Sequence, residues 1–200
     1  MIVVGLTGSI AMGKSALAAI FRELGAPVFD ADVAVHEFYR SDGARAVEAA
    51  FPGVLVDGAV DRAMLASRVV GDADAMQRLE AIVHPAVAEK RLRFIDMARR
   101  AGARAAILDV LLLFETGGEA VVDVVVVVSA RPEVQRARAL SRPGADAERF
   151  EALLKRQTPD VEKRRRAHFV IDTSGALEDS RRQAEDFLRA IVGCERASHA

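Results

Sequence analysis

The stretch Ile2–Ser15, IVVGLTGSIAMGKS, determines how the rest of the chain is interpreted. It joins a short apolar run to the pattern Gly8-x-x-x-x-Gly13-Lys14-Ser15, which is typical of a phosphate-binding loop between a buried strand and a helix. The two glycines let the backbone curl so that its N–H groups point at an anion. Lys14 adds a mobile positive charge for terminal phosphates, and the Ser15 hydroxyl can bind Mg²⁺. The helix that begins near Lys14 directs its positive N-terminal end to the same place.

A glycine-rich turn with a stray lysine is the alternative explanation of this stretch. Its context argues against that alternative, because an apolar strand precedes the loop and a helical pattern follows it from Ala16 to Leu24. Lysine is also scarce in this chain: of its 28 basic residues, only Lys14, Lys90, Lys155 and Lys163 are lysine. A compact ammonium fits inside a phosphate loop, whereas a planar guanidinium does not. The sequence therefore predicts a phosphate-binding site.

Composition limits the classes of protein to consider. The 200 residues are 51% hydrophobic, which suits one α/β domain with insertions, and a net charge of −1 gives no general attraction to nucleic acid or acidic membranes. No basic region precedes the N-terminal apolar run, so a signal peptide is not indicated. The longest apolar run, Val121–Val128, contains Asp123 and is too short to span a bilayer. Cys194 is the single cysteine, which excludes an internal disulfide, and we expect an inert thiol in a soluble, cytoplasmic protein.

Asp30 and Asp32 follow the second predicted strand, Pro27–Phe29. In open parallel sheets ligands bind beyond the carboxyl ends of the strands, so both carboxylates should lie at the end of the sheet that carries the phosphate loop. One of them can instead cap the helix predicted over 33–39, since aspartate is a favoured N-cap residue. Both roles can hold together: we expect Asp32 to be the functional carboxylate, and Asp30 to face the Mg²⁺ shell or cap the backbone.

No strand pattern is evident from Tyr39 to Gly102, where we predict helices over 44–51, 61–70, 73–83 and 85–101. In phosphate-loop kinases such a helical insertion usually carries the site for the phosphate acceptor. Pro85 suits the first position of the last predicted helix and would place His84 at its start. A lone histidine is more often a structural hydrogen-bonding residue than a catalyst, so both roles stay open for His84.

The third predicted strand, Ala105–Leu108, ends in Asp109. An apolar strand that ends in aspartate beside a phosphate loop is typical of a nucleotide site in which the carboxylate reaches Mg²⁺ through water. A solvated strand end is the alternative. The apolar segment after Asp109 runs into Glu115 and a glycine-containing loop with room for a ligand. Val124–Val128 is β-branched throughout, as in a central parallel strand, and a strand over 169–171 and a helix over 177–192 follow.

Residues 131–166 are strongly basic, with eleven Lys or Arg against six Asp or Glu. Arg138 and Arg142 fall four residues apart, on one face of a helix. A solvated surface would have the same composition, and so would a nucleic-acid site, but Phe150 is the only aromatic residue here and base stacking is poorly supported. In a phosphotransferase, a basic arm at this point of the chain is the expected lid, which closes on the nucleotide and supplies cations to the transferred group.

Over nearly its whole length the sequence resembles the dephospho-CoA kinase family. The resemblance rests on GLTGSIAMGKS near the N-terminus, FDAD at 29–32, VHP at 83–85, LDVLLLFETG at 108–117, Arg138 with Arg142, Gln157, and FVIDTSG at 169–175. The phosphate loop alone occurs in many families. FDAD, the His-Pro pair and the LLFE segment together are far more specific.

The resemblance implies phosphorylation of the ribose 3′-hydroxyl of dephospho-CoA by ATP with Mg²⁺, the last step of coenzyme A biosynthesis. Asp32 would be the general base, with Lys14 and Arg142 as further catalytic residues. Ser15 would bind Mg²⁺, which Asp109 would reach through water. The ATP-binding residues would be Gly8, Ala11, Met12, Gly13, Lys14, Ser15, Ala16, Arg142, Thr173 and Gly175. The acceptor-binding residues would be Asp32, His84, Leu112 and Glu115.

Some positions depart from the family pattern. Ala11 and Met12 stand where the family usually has glycine and serine inside the loop, and we expect Ala11 to keep φ below zero and Met12 to point its side chain away. The other departures are Leu111, Pro143, His168 and Thr173, where the family has Pro, Asp, Asp and often Asn. A regulatory GTPase is a weak alternative, because the sequence has no Asn-Lys-x-Asp guanine-binding motif. A kinase for a nucleoside monophosphate or sugar acid, and a non-catalytic nucleotide-binding module, are the others.

We therefore predict an α/β phosphate-loop kinase fold with a five-stranded parallel sheet flanked by helices. Its nucleotide-binding core would comprise residues 1–32, 105–130 and 167–195. The helical acceptor domain would span 33–104, and the lid 131–166. We expect a monomer that acts on small molecules, without a nucleic-acid or membrane partner.

Overall fold

The computed structural model describes residues 1–41 and 43–197. In chain order its elements are β1 (Ile2–Gly8), α1 (Lys14–Glu23), β2 (Val28–Asp30), α2 (Ala31–Phe38), α3 (Gly43–Ala50), β3 (Leu55–Val56), β4 (Ala59–Val60), α4 (Arg62–Val69), α5 (Ala73–Arg100), β5 (Ala105–Asp109), a 3₁₀ turn (Gly118–Val121), β6 (Val124–Ser129), α6 (Pro132–Leu140), α7 (Ala147–Lys155), α8 (Asp160–Arg166), β7 (Phe169–Asp172) and α9 (Leu177–Ala197).

The main sheet has five strands in the order β2-β5-β1-β6-β7, which confirms the predicted five-stranded parallel sheet. β1 lies at its centre and pairs in parallel with β5 on one side and β6 on the other. Val125, Val126, Val127 and Val128 are all buried, as expected for a strand covered on both faces. The central strand, β1, ends at Gly8, which is the first residue of the phosphate loop.

The chain divides into two compact units, of which the first comprises Met1–Phe29 and the residues from Met97 onward. Its main core packs α1 and α9 against the sheet. Leu17, Ile20 and Phe21 of α1 recur at helical spacing and are buried there. The rings of Phe21 and Phe187 meet edge to face, with their centroids 6.0 Å apart. This packing holds α1, and with it the end of the phosphate loop, in place.

The second unit, Asp30–Asp96, has a core of its own. It contains α2, α3, α4, most of α5 and the short strands β3 and β4. Val47 and Val54 are completely buried at its centre, with Phe38 and Leu65 beside them.

The strands β3 and β4 form an antiparallel hairpin, so the prediction of no strand between residues 39 and 102 is wrong. Their turn is Asp57-Gly58, with φ angles of 50° and 79°. Positive φ at both central residues is what a type I′ hairpin turn requires, and Asp-Gly is a favoured sequence for it. The Asp57-Gly58 pair is the feature of the sequence from which this hairpin could have been predicted. Strands of two residues are too short to show alternation of apolar and polar positions.

Helix α5 is continuous across Pro85, so the two separate helices predicted over 73–83 and 85–101, and Pro85 as a first helical residue, are wrong. A proline inside a helix removes a hydrogen bond and costs roughly 3 kcal/mol. Apolar packing on both sides of the proline offsets this cost. The residues that pack into the core of the second unit are Leu79, Ile82 and Val83 before Pro85, and Ala86 and Val87 after it.

The C-terminal helix α9 is longer than predicted, since it continues to Ala197 rather than ending near residue 192. The interpretation of Cys194 as an inert thiol stays a prediction, because the structure describes the side chains of α9 only as far as Ile191. Within residues 1–41 and 43–197, no helix has the length and apolar character needed to cross a membrane.

Candidate active site

The phosphate loop begins where β1 ends and runs into the first turn of α1. Gly8 stands where no side chain fits, because a Cβ there would lie 2.6 Å from the carbonyl oxygen of Val128. Gly13 caps α1 with a φ of 90°, a left-handed conformation that glycine adopts without steric cost. Backbone geometry thus requires both glycines of the motif.

Ala11 has a φ of 63°, so the expectation that it keeps φ below zero is wrong. The left-handed conformation costs an alanine roughly 1–2 kcal/mol. Ala11 is buried in a small apolar cluster with Ala139 of α6 and Phe150 of α7, and this packing offsets part of the cost. Met12 points away from the loop, as predicted: its side chain lies in the main core, and its Sδ accepts a hydrogen bond of 3.0 Å from the Ala130 N–H.

Lys14 forms an ion pair with Asp109, through its Nζ and the Oδ1 of the carboxylate. Asp109 is the last residue of β5 and lies opposite Leu6 of β1, so two neighbouring parallel strands bring the pair together. The two side chains are 11% and 3% exposed. A carboxylate buried to this degree needs a cationic partner, because an unpaired charge in the interior is strongly destabilising.

The first turn of α1 offers an oxygen ligand for a metal. Ser15 and Ala16 are exposed, so the Ser15 hydroxyl is accessible. A hydroxyl and a carboxylate are the hard oxygen ligands that Mg²⁺ prefers, and Ser15 with Asp109 fits it in this respect. The described part of the chain contains no group of three or more His, Cys, Asp or Glu that could hold a metal, so Mg²⁺ would take other ligands from phosphate and water. Ala16 also lines a cleft of about 290 Å³ between α1 and α9, together with Ala19, Ile20, Glu23, Leu177, Glu178 and Arg181.

Thr173, which follows β7, supports the phosphate loop. Its hydroxyl donates a hydrogen bond of 2.6 Å to the Met12 carbonyl oxygen. The Arg138 guanidinium donates to the Thr173 hydroxyl oxygen at 3.2 Å and to its carbonyl oxygen at 2.6 Å. Thr173 is buried, whereas Gly175 is exposed. The two arginines that were predicted on one helical face therefore differ in their contacts. Arg138 donates hydrogen bonds to Thr173. Arg142 lies beyond the end of α6 and is exposed.

Asp30 and Asp32 have different surroundings in the second unit. Asp30 is the N-cap of α2, and its carboxylate accepts a hydrogen bond of 3.0 Å from the Val33 N–H, which confirms the capping alternative for this residue. Asp32 stands in the first turn of α2 and is exposed. Among the described residues, none forms a hydrogen bond or ion pair with the Asp32 carboxylate.

The predicted acceptor-binding residues differ in their exposure and in their contacts with other residues. His84 on α5 is exposed, and so is Leu112, after β5. Glu115 accepts a hydrogen bond of 2.7 Å from the Thr158 N–H and lies 3.1 Å from the Nζ of Lys163, whose side chain is completely buried. Burial by itself raises the pKa of the Glu115 carboxyl, but the Thr158 N–H and the Lys163 ammonium outweigh burial and hold this pKa below its usual range.

Sequence reasoning missed three residues around this site. Gln135 and Gln157 both bond to the backbone of Ile10 in the phosphate loop, and Lys163 pairs with Glu115. Gln157 was among the residues that carry the family resemblance, but the sequence analysis assigned no role to it. The one available signal for Gln135 is its spacing, because it shares a face of α6 with the buried Ala139.

These features define a class of protein. A parallel sheet whose central strand leads into a Gly-x-x-x-x-Gly-Lys-Ser loop, beside a strand that ends in a buried carboxylate, is the phosphate-loop kinase fold. The dephospho-CoA kinase family pattern matches residues 2–179. A dephospho-CoA kinase of Rhodopseudomonas palustris (strain HaA2) is 55% identical over 192 residues, and one of Brucella melitensis is 49% identical over 193; each alignment covers 96% of both chains. The chain therefore belongs to the dephospho-CoA kinase family, which confirms the resemblance.

Solved structures share the fold of this chain. TT1252 from Thermus thermophilus is 35% identical, covers 94% of this chain and 97% of its own, and superposes with a TM-score of 0.83. A dephospho-CoA kinase from Campylobacter jejuni shares the fold at 24% identity, with a TM-score of 0.64 and coverage of 94% and 96%. So does a shikimate kinase from Bacteroides thetaiotaomicron, at 13% identity, a TM-score of 0.51 and coverage of 94% and 98%.

Proposed function

We propose that this chain transfers the γ-phosphoryl group of ATP to the ribose 3′-hydroxyl of dephospho-CoA, giving coenzyme A and ADP in the last step of coenzyme A biosynthesis. The observation that carries the proposal is the Lys14–Asp109 pair at a phosphate loop, in a chain that belongs to the dephospho-CoA kinase family. In this reaction a bond forms between the 3′-oxygen and the γ-phosphorus. The bond from that phosphorus to the β,γ-bridging oxygen breaks, and the hydroxyl loses its proton.

ATP would bind with its phosphates against the backbone of residues 11–16. Lys14 would leave Asp109 and stabilise the negative charge on the transferred group, since phosphoryl transfer depends mostly on positioning and electrostatics. The exposed Arg142 would add a second cation when the lid, residues 131–166, closes. Mg²⁺ would be held by the Ser15 hydroxyl and reached by Asp109 through water, and it would neutralise charge on the phosphate oxygens.

Asp32 would be the general base that receives the proton of the 3′-hydroxyl. The capping role of Asp30 supports this assignment, because the Asp30 carboxylate is used by the helix and the Asp32 carboxylate is exposed. A base must lie within hydrogen-bond reach of the proton that it accepts, so Asp32 would bond directly to the acceptor hydroxyl in the productive complex.

The acceptor would bind to the predicted helical domain, residues 33–104, which is supported by the separate core of residues 30–96. His84 and Leu112 would contact the acceptor. Glu115 would contribute by holding the loop that follows β5, since Thr158 and Lys163 engage its carboxylate. We further propose that the enzyme acts as a monomer in the cytoplasm.

The test is ADP production from ATP, with and without dephospho-CoA and with a panel of other acceptors that includes nucleoside monophosphates and sugar acids. We expect ADP release to depend on dephospho-CoA, and the product to carry its new phosphate on the 3′-oxygen. Equal or faster transfer to another acceptor would overturn the proposed substrate. ATP binding without transfer to any acceptor would favour a non-catalytic module.

A further inference from the structure

Two glutamines hold one residue of the phosphate loop from opposite ends of the α6–α7 segment (residues 132–157). The backbone N–H of Ile10 donates a hydrogen bond of 2.9 Å to the Oε1 of Gln157. The Nε2 of Gln135 donates a hydrogen bond of 2.7 Å to the Ile10 carbonyl oxygen. Gln135 is buried on α6, and Gln157 lies just beyond the end of α7. Both main-chain polar groups of Ile10 are thus paired with side chains far away in the sequence.

The next residue of the loop is held by the same segment. Ala11 has the left-handed backbone conformation, and its methyl group packs against Ala139 of α6 and Phe150 of α7. An alanine does not keep this conformation without support from its surroundings. The α6–α7 segment therefore supports two successive loop residues, one by hydrogen bonds and the other by packing.

We propose that Gln135 and Gln157 are positioning residues that keep the phosphate loop in its anion-binding shape. Their amides bond to the loop backbone, so they act on the nucleotide through the loop. Because Gln157 engages the Ile10 N–H, this N–H does not face a phosphate, and the anion-binding N–H groups begin at Ala11. A loop without these bonds spends less time in the binding shape, and the apparent affinity for nucleotide falls by the same fraction. This inference rests on the proposed role of the loop as the ATP site.

The first test compares Gln157→Met and Gln135→Met with Gln77→Met, a matched control at an exposed position of α5. Methionine has a similar volume and no amide. We expect the loss of one such hydrogen bond to weaken the binding of ADP about three- to tenfold, measured by calorimetry. The KM for ATP should rise by a similar factor. The KM for dephospho-CoA should not change, nor should any constant of Gln77→Met. If Gln135→Met and Gln157→Met both lower thermal stability but leave the ADP affinity unchanged, the role of the two glutamines is merely structural and the proposal is overturned.

A second measurement is independent of activity. In the nucleotide-free enzyme, the Ile10 amide should exchange with solvent hydrogen faster in Gln157→Met than in wild type. Gln157→Glu keeps an acceptor oxygen and should restore the protection. Unchanged exchange in Gln157→Met would overturn the positioning role of Gln157 even if that variant binds ADP weakly.

Lys14→Ala separates this inference from the proposed function. If Lys14→Ala still transfers phosphate at the wild-type rate, the loop is not the ATP site and the proposed function of this site fails. If Lys14→Ala is inactive and both glutamine variants match Gln77→Met, the positioning role alone fails.

Discussion

Replacing Glu115 by glutamine removes the negative charge beside a completely buried lysine. The Nζ of Lys163 lies 3.1 Å from the Glu115 Oε1, and the two side chains are 0% and 17% exposed. The new side chain can still accept the hydrogen bond from the Thr158 N–H, so the substitution mainly tests the charge. The pair joins the loop after β5 to helix α8.

The expected cost follows from the difference in exposure between the two partners. Removing one member of a buried ion pair typically costs about 3–5 kcal/mol, and the partial exposure of Glu115 places Glu115→Gln near the lower end, about 3 kcal/mol. Lys163→Met should cost less, about 1–2 kcal/mol, because the remaining carboxylate keeps the Thr158 N–H and some contact with water. The double variant should resemble Lys163→Met alone, because the charge of Glu115 no longer compensates a buried ammonium once Lys163 is replaced.

The pair also makes stability depend on pH. The pKa of the Glu115 carboxyl is lower in the folded protein than in the unfolded chain, where burial, the Thr158 N–H and the Lys163 ammonium do not act on it. Such a carboxyl stabilises the fold above its unfolded pKa, and this contribution is lost as the pH falls through the folded pKa. The difference in unfolding free energy between wild type and Glu115→Gln should therefore be full at neutral pH and shrink in acid.

Urea unfolding followed by far-ultraviolet circular dichroism measures these quantities. With a slope of about 2 kcal/mol per molar urea, a loss of 3 kcal/mol lowers the midpoint by about 1.5 M. The four proteins of the cycle (wild type, two single variants and the double variant) give the coupling energy of the pair. Additive single costs, or a cost below about 1 kcal/mol for Glu115→Gln, would refute the reasoning, because the buried charge would then not depend on Glu115.

Four further substitutions test the site. Lys14→Ala should slow phosphoryl transfer roughly a thousandfold or more, measured as ADP release, because it removes the cation of the loop; activity within tenfold of wild type would assign this role elsewhere. Asp32→Asn should lower turnover by at least about a hundredfold with little change in ADP affinity, whereas Asp30→Asn keeps a good N-cap and should stay active; the reverse result would mean that the pair is assigned backwards. Gly13→Ala should lower the melting temperature by about 4 °C, since φ at this residue is 90° and the new Cβ would lie 3.1 Å from the Thr173 hydroxyl oxygen; an unchanged melting curve would show that the loop relaxes without strain.

Features that depend on neighbours in the sequence were predicted correctly. The Gly8–Ser15 pattern indicated the phosphate loop, and the β-branched run Val124–Val128 indicated a buried parallel strand. Asp109 was expected at the end of its strand and is there, next to the strand that carries the loop. Each of these conclusions follows from local residue types, because backbone preferences and the periodicity of apolar residues can be recognised within a segment of a few residues.

Where a local preference and the packing of the core disagreed, the packing prevailed. Pro85 locally favours a helix start, yet α5 continues through it, with apolar residues on both sides packed against the core of the second unit. Ala11 locally favours negative φ, yet it is left-handed, and its burial in a cluster with Ala139 and Phe150 offsets part of the cost. The hairpin at Asp57-Gly58 was missed for another reason, which is the short length of its strands.

The sequence alone was sufficient to predict the fold class, the phosphate loop and the family. Only the tertiary structure assigned partners to its polar side chains: Lys14 to Asp109, Gln135 and Gln157 to Ile10, Thr173 to the loop backbone, and Lys163 to Glu115. Gln135 and Ile10 are 125 residues apart in the chain, and no local pattern relates them. A hydrogen bond or ion pair requires its atoms within a few ångströms of each other, and such distances exist only after the order of the strands has brought distant elements side by side.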